Sequence, residues 1–184
     1  MKDSPCPLHG NFGGTILTDT IHYGLLVALA IALVVAAFTD IRRRQIDNWL
    51  TGTIALGAPL LWWASEMTLW PDVAWQLGFA VLAAAILIGI YALGMALRVV
   101  ILGGGDVKLL GALALWIPWD SYLQLLFIMA AVGGLMAFGF IIRRVVFKPK
   151  TPGVLPYGVA IAAGGLWVLV FNLFPAASLA TAAA

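Results

Sequence analysis

Charged side chains are scarce in this chain, whose 184 residues include ten Lys or Arg and eight Asp or Glu. Apolar residues make up 63% of the sequence, and the mean hydropathy is +1.04. Soluble globular proteins have about half apolar and about a quarter charged residues. These charges are too few to cover a soluble globule, so the composition excludes an ordinary soluble domain. It indicates a protein whose main solvent is lipid.

Metal-ligating residues and basic tracts are also rare. With one cysteine, Cys6, the chain can form neither an internal disulfide nor a cysteine-based zinc site. We interpret His22 as a membrane-interface residue and expect no metal and no cofactor. The net charge of +2 is spread over short clusters, which argues against a nucleic-acid partner.

Known nucleophile and phosphate-binding motifs are absent from the sequence as well. It has no GxSxG elbow, no HExxH pair and no GxxxxGK[ST] loop. Ser65, Ser121 and Ser178 have no base that the sequence places beside them. The sequence therefore favours neither a serine hydrolase, a zinc protease nor a P-loop enzyme.

Six apolar segments approach the length of about 20 residues that a helix needs to cross a bilayer. Because backbone amides in lipid need internal hydrogen bonds, we predict an all-α polytopic membrane protein with about six transmembrane helices. The fourth segment is short. The segments are residues 21–38, 49–65, 73–97, 107–119, 122–142 and 154–174.

The distribution of Lys and Arg predicts the topology. With six spans, every Lys and Arg except Lys2 falls in loops on the same side of the membrane. By the positive-inside rule, the loops around Arg42, Arg98 and Arg143 are cytoplasmic and both termini lie outside. We expect a mobile polar tail at 1–20, a single membrane domain at 21–175 and a frayed Ala-rich end at 176–184.

Two aspartates lie at the edges of predicted spans, where charge is costly and needs a reason. Asp40 lies at the end of the first predicted helix, and Asp106 lies at the start of the fourth, directly after three glycines. Both lie at the same membrane level, so helix packing could bring them together. The glycines would permit positive φ and close approach of a substrate backbone.

Two carboxyl groups that face a water molecule can hydrolyse a peptide bond, one as base and the other as acid. Helix dipoles predict that Asp106 is the base and Asp40 the acid. Simpler interpretations remain open: Asp40 could pair with Arg43 or Arg44, and Asp106 could cap its helix. Asp47 is explained by an N-cap or first-turn position. A proton relay in a small transporter or membrane scaffold is the alternative function.

Three segments of the chain resemble the type IV prepilin peptidase family, in particular its short branch associated with tight-adherence pili. Residues 103–109 (GGGDVKL) are similar to the family's GxGDxKL segment. Residues 40–48 (DIRRRQIDN) resemble its first signature, an aspartate followed by a basic stretch and Ile-Pro-Asn. Residues 156–160 (PYGVA) resemble the PYG segment of its late helix.

This resemblance implies an aspartic endopeptidase of the bacterial inner membrane, with no cofactor. It would cut the short basic leader from pilin-like precursors at the cytoplasmic face. The implied partners are that precursor and the lipid bilayer; the oligomeric state is not implied. Asp40 and Asp106 would form the catalytic pair. Residues implied in substrate binding or loop geometry are Gly103, Gly104, Gly105, Lys108, Asn48, Pro156, Tyr157 and Gly158.

Two departures from the family pattern matter. Asp47 stands where the family usually has proline, which removes a rigid turn and adds a third carboxylate near the site. Longer members carry paired CxxC motifs in a cytoplasmic domain and also N-methylate the cleaved product. This sequence has no CxxC motif, so it gives no support for methyl transfer.

Overall fold

The computed structural model describes residues 12–43, 45–98, 102–147 and 157–175. In these ranges the chain forms six α-helices and no strand, which confirms the predicted all-α fold. A π-helical segment, Leu69–Val73, precedes the third helix, and another, Leu169–Leu173, follows the sixth. The α-helices are α1 (Phe12–Arg43), α2 (Asn48–Ala64), α3 (Ala74–Ala96), α4 (Gly104–Leu113), α5 (Trp119–Phe147) and α6 (Tyr157–Val168).

Within the described ranges, three helical stretches are long and apolar enough to cross a membrane: Thr18–Arg43, Leu69–Ala96 and Trp119–Arg143. At about 1.5 Å per residue, each exceeds the thickness of about 30 Å of a hydrocarbon core. The chain is therefore a multi-pass membrane protein. Helix α1 already begins at Phe12, within the predicted tail; residues 1–11 and 176–184 lie outside the described residues.

Helix α4 is a short internal helix. Its ten residues rise about 15 Å, half of what a span requires. It packs against α2, α3 and α6, and most of its side chains are buried. Asp106, on its first turn, is thereby surrounded by neighbouring helices.

Long side chains satisfy the carbonyl groups where α4 ends inside the protein. Such groups have no partner within the helix and are costly to bury unpaired. Trp62 Nε1 donates to the Leu115 carbonyl at 3.0 Å, and Gln76 Nε2 donates to Ala114 at 2.8 Å. Tyr122 donates to Leu110 at 3.1 Å. These bonds allow a half-length helix to end among the neighbouring helices without leaving these carbonyl groups unpaired.

Glycines let α6 approach its two main neighbours closely. A Cβ on Gly164 would lie 2.7 Å from the Leu125 carbonyl oxygen of α5. A Cβ on Gly165 would lie 2.8 Å from the Leu33 side chain of α1. Small residues serve this purpose at helix contacts in membranes. This packing holds the beginning of α6 beside the end of α1, where Asp40 lies.

Candidate active site

Asp40 is anchored to the beginning of α6. It lies in the last turn of α1 and is 6% exposed. Its Oδ2 accepts a hydrogen bond of 2.7 Å from the backbone amide of Gly158. That amide lies in the first turn of α6 and has no partner within the helix, so the contact satisfies both groups. Residue 158 must be small, because a Cβ there would lie 2.8 Å from both Cβ and Oδ2 of Asp40.

Asp106 is held by its own loop. It lies in the first turn of α4 and is 8% exposed. Its Oδ2 accepts a hydrogen bond of 3.1 Å from the Gly103 amide, which is the acidic half of a capping box. A Cβ on Gly103 would lie 2.9 Å from Oδ2, so glycine also permits this close contact. The Asp106 side chain therefore caps α4, as the simpler interpretation of this residue predicts.

The two carboxyl groups are near enough to interact electrostatically. Each uses Oδ2 for its backbone amide, and no hydrogen bond from another described residue reaches either Oδ1. Among the described residues, no side-chain nitrogen or oxygen is both fully buried and unpaired. Each carboxyl group of the pair is thus fixed through Oδ2.

The glycine loop has a different conformation from the predicted one. No described glycine has positive φ, and Gly103 is extended at φ −77° and ψ 149°. Gly104 and Gly105 already belong to α4. A Cβ on Gly105 would lie 3.2 Å from Ile46 Cβ. The expectation of positive φ was wrong; glycine at 105 instead leaves room for close packing of the segment before α2.

The remaining predicted site residues lie around this pair. Lys108 Nζ donates to Asn48 Oδ1 at 2.9 Å and links α4 to the start of α2. The hydroxyl of Tyr91 lies beside Gly104: a Cβ added at this residue would be 3.7 Å from it. Tyr157 begins α6 and is half-buried. Pro156 lies outside the described residues.

The structure supports the simpler interpretation of Asp47 in part and does not support an ion pair of Asp40 among the described residues. Asp47 is the N-cap residue of α2, and its carbonyl accepts the amides of Leu50 and Thr51, but its carboxylate makes no capping bond. Across the described ranges Asp40 forms no ion pair. Arg42 instead lies over the Phe38 ring, 4.7 Å from its centre, and Arg44 lies outside those ranges.

The sequence profile of the Type IV leader peptidase family matches residues 27–138. The chain belongs to this family. It is 30% identical over 153 residues to a prepilin leader peptidase/N-methyltransferase of Aeromonas hydrophila, covering 79% of this chain and 49% of that protein. The protein of that name from Aeromonas salmonicida (strain A449) is also 30% identical, covering 83% and 51%. The chain thus spans about half the length of these curated relatives. No solved structure matches it.

The family match includes both aspartates but ends before α6. Asp40, Asn48, the glycine loop and Lys108 all lie within residues 27–138. Gly158 lies beyond it, and its contact with Asp40 joins residues 118 apart in the chain. The structure therefore shows how α6, whose Gly158 the resemblance already implied as a site residue, contacts Asp40.

One polar contact was missed at the other end of α1. His22 Nδ1 lies 3.0 Å from Ser65 Oγ, and Asp19 interacts electrostatically with His22. The expectation that no base lies near Ser65 was wrong, because these residues are distant in sequence. Ser65 is the C-cap of α2, where the helix dipole opposes an alkoxide, so we interpret the contact as a link between helices.

In the described ranges no group of three or more His, Cys, Asp or Glu could hold a metal ion.

Proposed function

We propose that this chain is an aspartic endopeptidase that removes leader peptides from type IV pilin-like precursors, with Asp40 and Asp106 as its catalytic pair. The observation that carries the proposal is their geometry: two buried carboxyl groups from different helices interact, and each is held through Oδ2 by one backbone amide. Membership of the leader peptidase family supports the substrate class.

The geometry supports general acid–base hydrolysis by water. The ionised carboxylate takes a proton from a water molecule while the protonated carboxyl gives its proton to the carbonyl oxygen of the scissile bond. The tetrahedral intermediate then collapses: the proton taken from water passes to the leaving amine, and a hydroxyl of the intermediate returns a proton to the carboxylate that had acted as the acid. The products are a free carboxylate on the leader and a free amine on the mature pilin.

Helix dipoles do not distinguish Asp106 as the base from Asp40 as the acid, because both carboxyl groups contact the amino-terminal turn of a helix. Asp40 lies at the end of α1, but its carboxylate also accepts a bond from the amino-terminal turn of α6. Asp106 accepts a bond at the amino-terminal end of α4. Helix amino termini therefore face both groups, and we propose that they share one proton and titrate as a pair.

The charge distribution supports an inner-membrane location with the site at the cytoplasmic face. Arg42 and Arg43 follow Asp40 on α1, and Lys108 follows Asp106 on α4. The opposite loops carry Glu66 and Asp72 and no Lys or Arg. By the positive-inside rule, the catalytic pair faces the cytoplasm and both termini lie outside. The proposal covers leader cleavage and leaves the oligomeric state open.

The test is cleavage of a purified type IV prepilin by the full chain in lipid nanodiscs, followed by the mass of the products. We expect a single cut by the wild type and none by Asp40→Asn or Asp106→Asn. Asp120→Asn is the matched control, because Asp120 is exposed in the first turn of α5. Turnover by either dyad variant at the wild-type rate would refute the catalytic pair. Proton flux into vesicles without cleavage would favour the transporter alternative.

A further inference from the structure

A hydrogen bond between α2 and α4 lies beside the catalytic pair. Lys108 Nζ donates to Asn48 Oδ1 at 2.9 Å, and both side chains are exposed. Lys108 follows Asp106 by two residues. Two steps along an α-helix rotate the side-chain direction by about 200°, so Lys108 and Asp106 lie on different sides of α4. The lysine therefore bonds to the neighbouring helix instead of to the catalytic carboxyl group.

This Lys108–Asn48 bond joins the two chain segments that carry the aspartates. Asn48 begins α2, and only residues 41–47 separate it from Asp40 at the end of α1. On α4, a single residue separates Lys108 from Asp106. The bond and the interaction between the two aspartates therefore close a ring of short chain segments. In such a ring, the distance between the carboxyl groups depends on the contact at the opposite side.

A second contact in the same ring limits how closely the segments approach. Ile46 is buried, and a Cβ on Gly105 would lie 3.2 Å from Ile46 Cβ and 3.4 Å from its backbone nitrogen. Close packing of this kind prevents further approach, but each apolar contact resists separation only weakly. The directional Lys108–Asn48 bond resists separation instead. Together the two contacts fix the spacing between α4 and the start of α2.

Direct contact with the substrate is the competing role for Lys108 and Asn48. Both side chains line a cavity between α2, α3 and α4, where a substrate could reach them. Loss of a contact that binds substrate and transition state equally raises KM, whereas misplacement of catalytic carboxyl groups lowers kcat. The two roles therefore predict different kinetics.

We propose that Lys108 and Asn48 are positioning residues, whose hydrogen bond holds the start of α4 against the start of α2 and thereby sets the separation of Asp40 and Asp106. This inference rests on the proposed function and adds two residues that act on the catalytic pair through the backbone. Without the bond, the two segments separate and the carboxyl groups move apart.

The pH dependence of kcat reports this separation. The proposed mechanism needs one ionised and one protonated carboxyl group, so activity ends at the pH where the pair loses its last proton. Repulsion between close carboxylates raises that pH, and moving the groups apart therefore lowers it. The other charged or titratable side chains near the pair are Arg42, Asp47, Tyr91, Lys108 and Tyr157.

The direction of this change separates positioning from a direct charge effect. Removing a positive charge near a carboxyl group makes its last proton harder to lose, so loss of the Lys108 charge alone would raise the upper pH limit. Loss of positioning lowers it. Asn48→Leu removes the acceptor of the bond without changing any charge, and it should lower the limit as Lys108→Met does.

The experiment measures cleavage of a purified type IV prepilin by the full chain in nanodiscs, over a range of substrate concentrations and pH. We expect Lys108→Met and Asn48→Leu each to lower kcat about fivefold to tenfold and to change KM less than about twofold. The double variant should lose no more than either single variant, because all three lack the same bond. Lys108→Arg should keep at least about half of kcat, since arginine also donates hydrogen bonds.

Arg43→Met is the matched control, because it removes an exposed positive charge from the last turn of α1 at the same end of the bundle. It should change kcat less than about twofold. Asp47→Asn should leave the upper pH limit unchanged, which checks the third carboxyl group. Thermal unfolding of the same samples gives the amount of folded protein, so that a loss of fold is not counted as a loss of kcat.

A higher KM at normal kcat in Lys108→Met would overturn the proposal in favour of substrate contact. An additive loss in the double variant, or an upper pH limit that is unchanged or raised in Asn48→Leu, would also overturn it. Cleavage by the wild type that is lost in Asp40→Asn sustains the proposed function in each of these cases. Absence of cleavage by the wild type refutes the proposed function itself, so the two failures are distinguishable.

Discussion

Gly158→Ala provides a direct test of how α6 positions Asp40. A methyl group at residue 158 would lie 2.8 Å from both Cβ and Oδ2 of Asp40, whereas ordinary contacts begin at 3.4 Å. Asp40 Cβ is attached to the backbone of α1 and cannot rotate away. The beginning of α6 therefore has to shift by about 0.6 Å.

The size of the expected effect follows from the hydrogen bond that this shift stretches. The bond from the Gly158 amide to Asp40 Oδ2 is 2.7 Å long, and a displacement of about 0.6 Å takes it beyond the usual range of about 2.7–3.2 Å. A hydrogen bond to a charged group contributes about 1.5–3 kcal/mol. If that energy positions Asp40 in the transition state, kcat falls by about 10- to 150-fold.

The assay is prepilin cleavage at saturating substrate, together with thermal unfolding of the same nanodisc samples. Gly165→Ala is the matched control, because it crowds Leu33 on α1 from the same helix without touching Asp40. We expect the control to lose some thermal stability but less than about threefold in kcat. Equal loss of activity in the two variants, or near-normal activity in Gly158→Ala, would refute the positioning argument.

Further predictions concern the pair, its loop and the topology. Asp40→Asn, Asp106→Asn and the double variant should fall to a similar residual rate, because neither group acts alone; a further loss in the double variant would contradict this. Asp47→Asn should keep most of kcat in the same assay, since its carboxylate makes no capping bond. Gly105→Val should lower cleavage strongly, because its Cβ would lie 3.2 Å from Ile46 Cβ; unchanged turnover would remove the loop from the site. Reporter fusions between α2 and α3 should give an extracytoplasmic signal.

Asp40 and Asp106 could be proposed from the sequence because charge at the edge of an apolar span is costly wherever it occurs. That argument needs no knowledge of packing. Their bonding partners could not be predicted in the same way. Gly103 is close in sequence and belongs to a recognisable turn, but Gly158 lies 118 residues from Asp40. Its contact depends on how α6 packs against α1 and α5.

For the glycine loop, too, the sequence indicates the position and the structure gives the physical reason. Three consecutive glycines before Asp106 correctly mark a place where side chains are excluded. From sequence, the glycines are predicted to permit positive φ and close approach of a substrate backbone, whereas the structure shows negative φ and close packing against Ile46. A glycine can be required for backbone conformation or for space, and the residues that occupy that space are distant along the chain.

By itself, the sequence determined the helical class and the approximate positions of the helices, because transfer of backbone amides into lipid leaves few alternatives to a helix. It also determined which carboxyl groups need explanation. Tertiary structure decided what those groups contact, and it alone placed α4 between α2 and α3. Hydropathy is summed over neighbours in the chain, whereas a cavity and a hydrogen bond between helices depend on residues that meet only after packing.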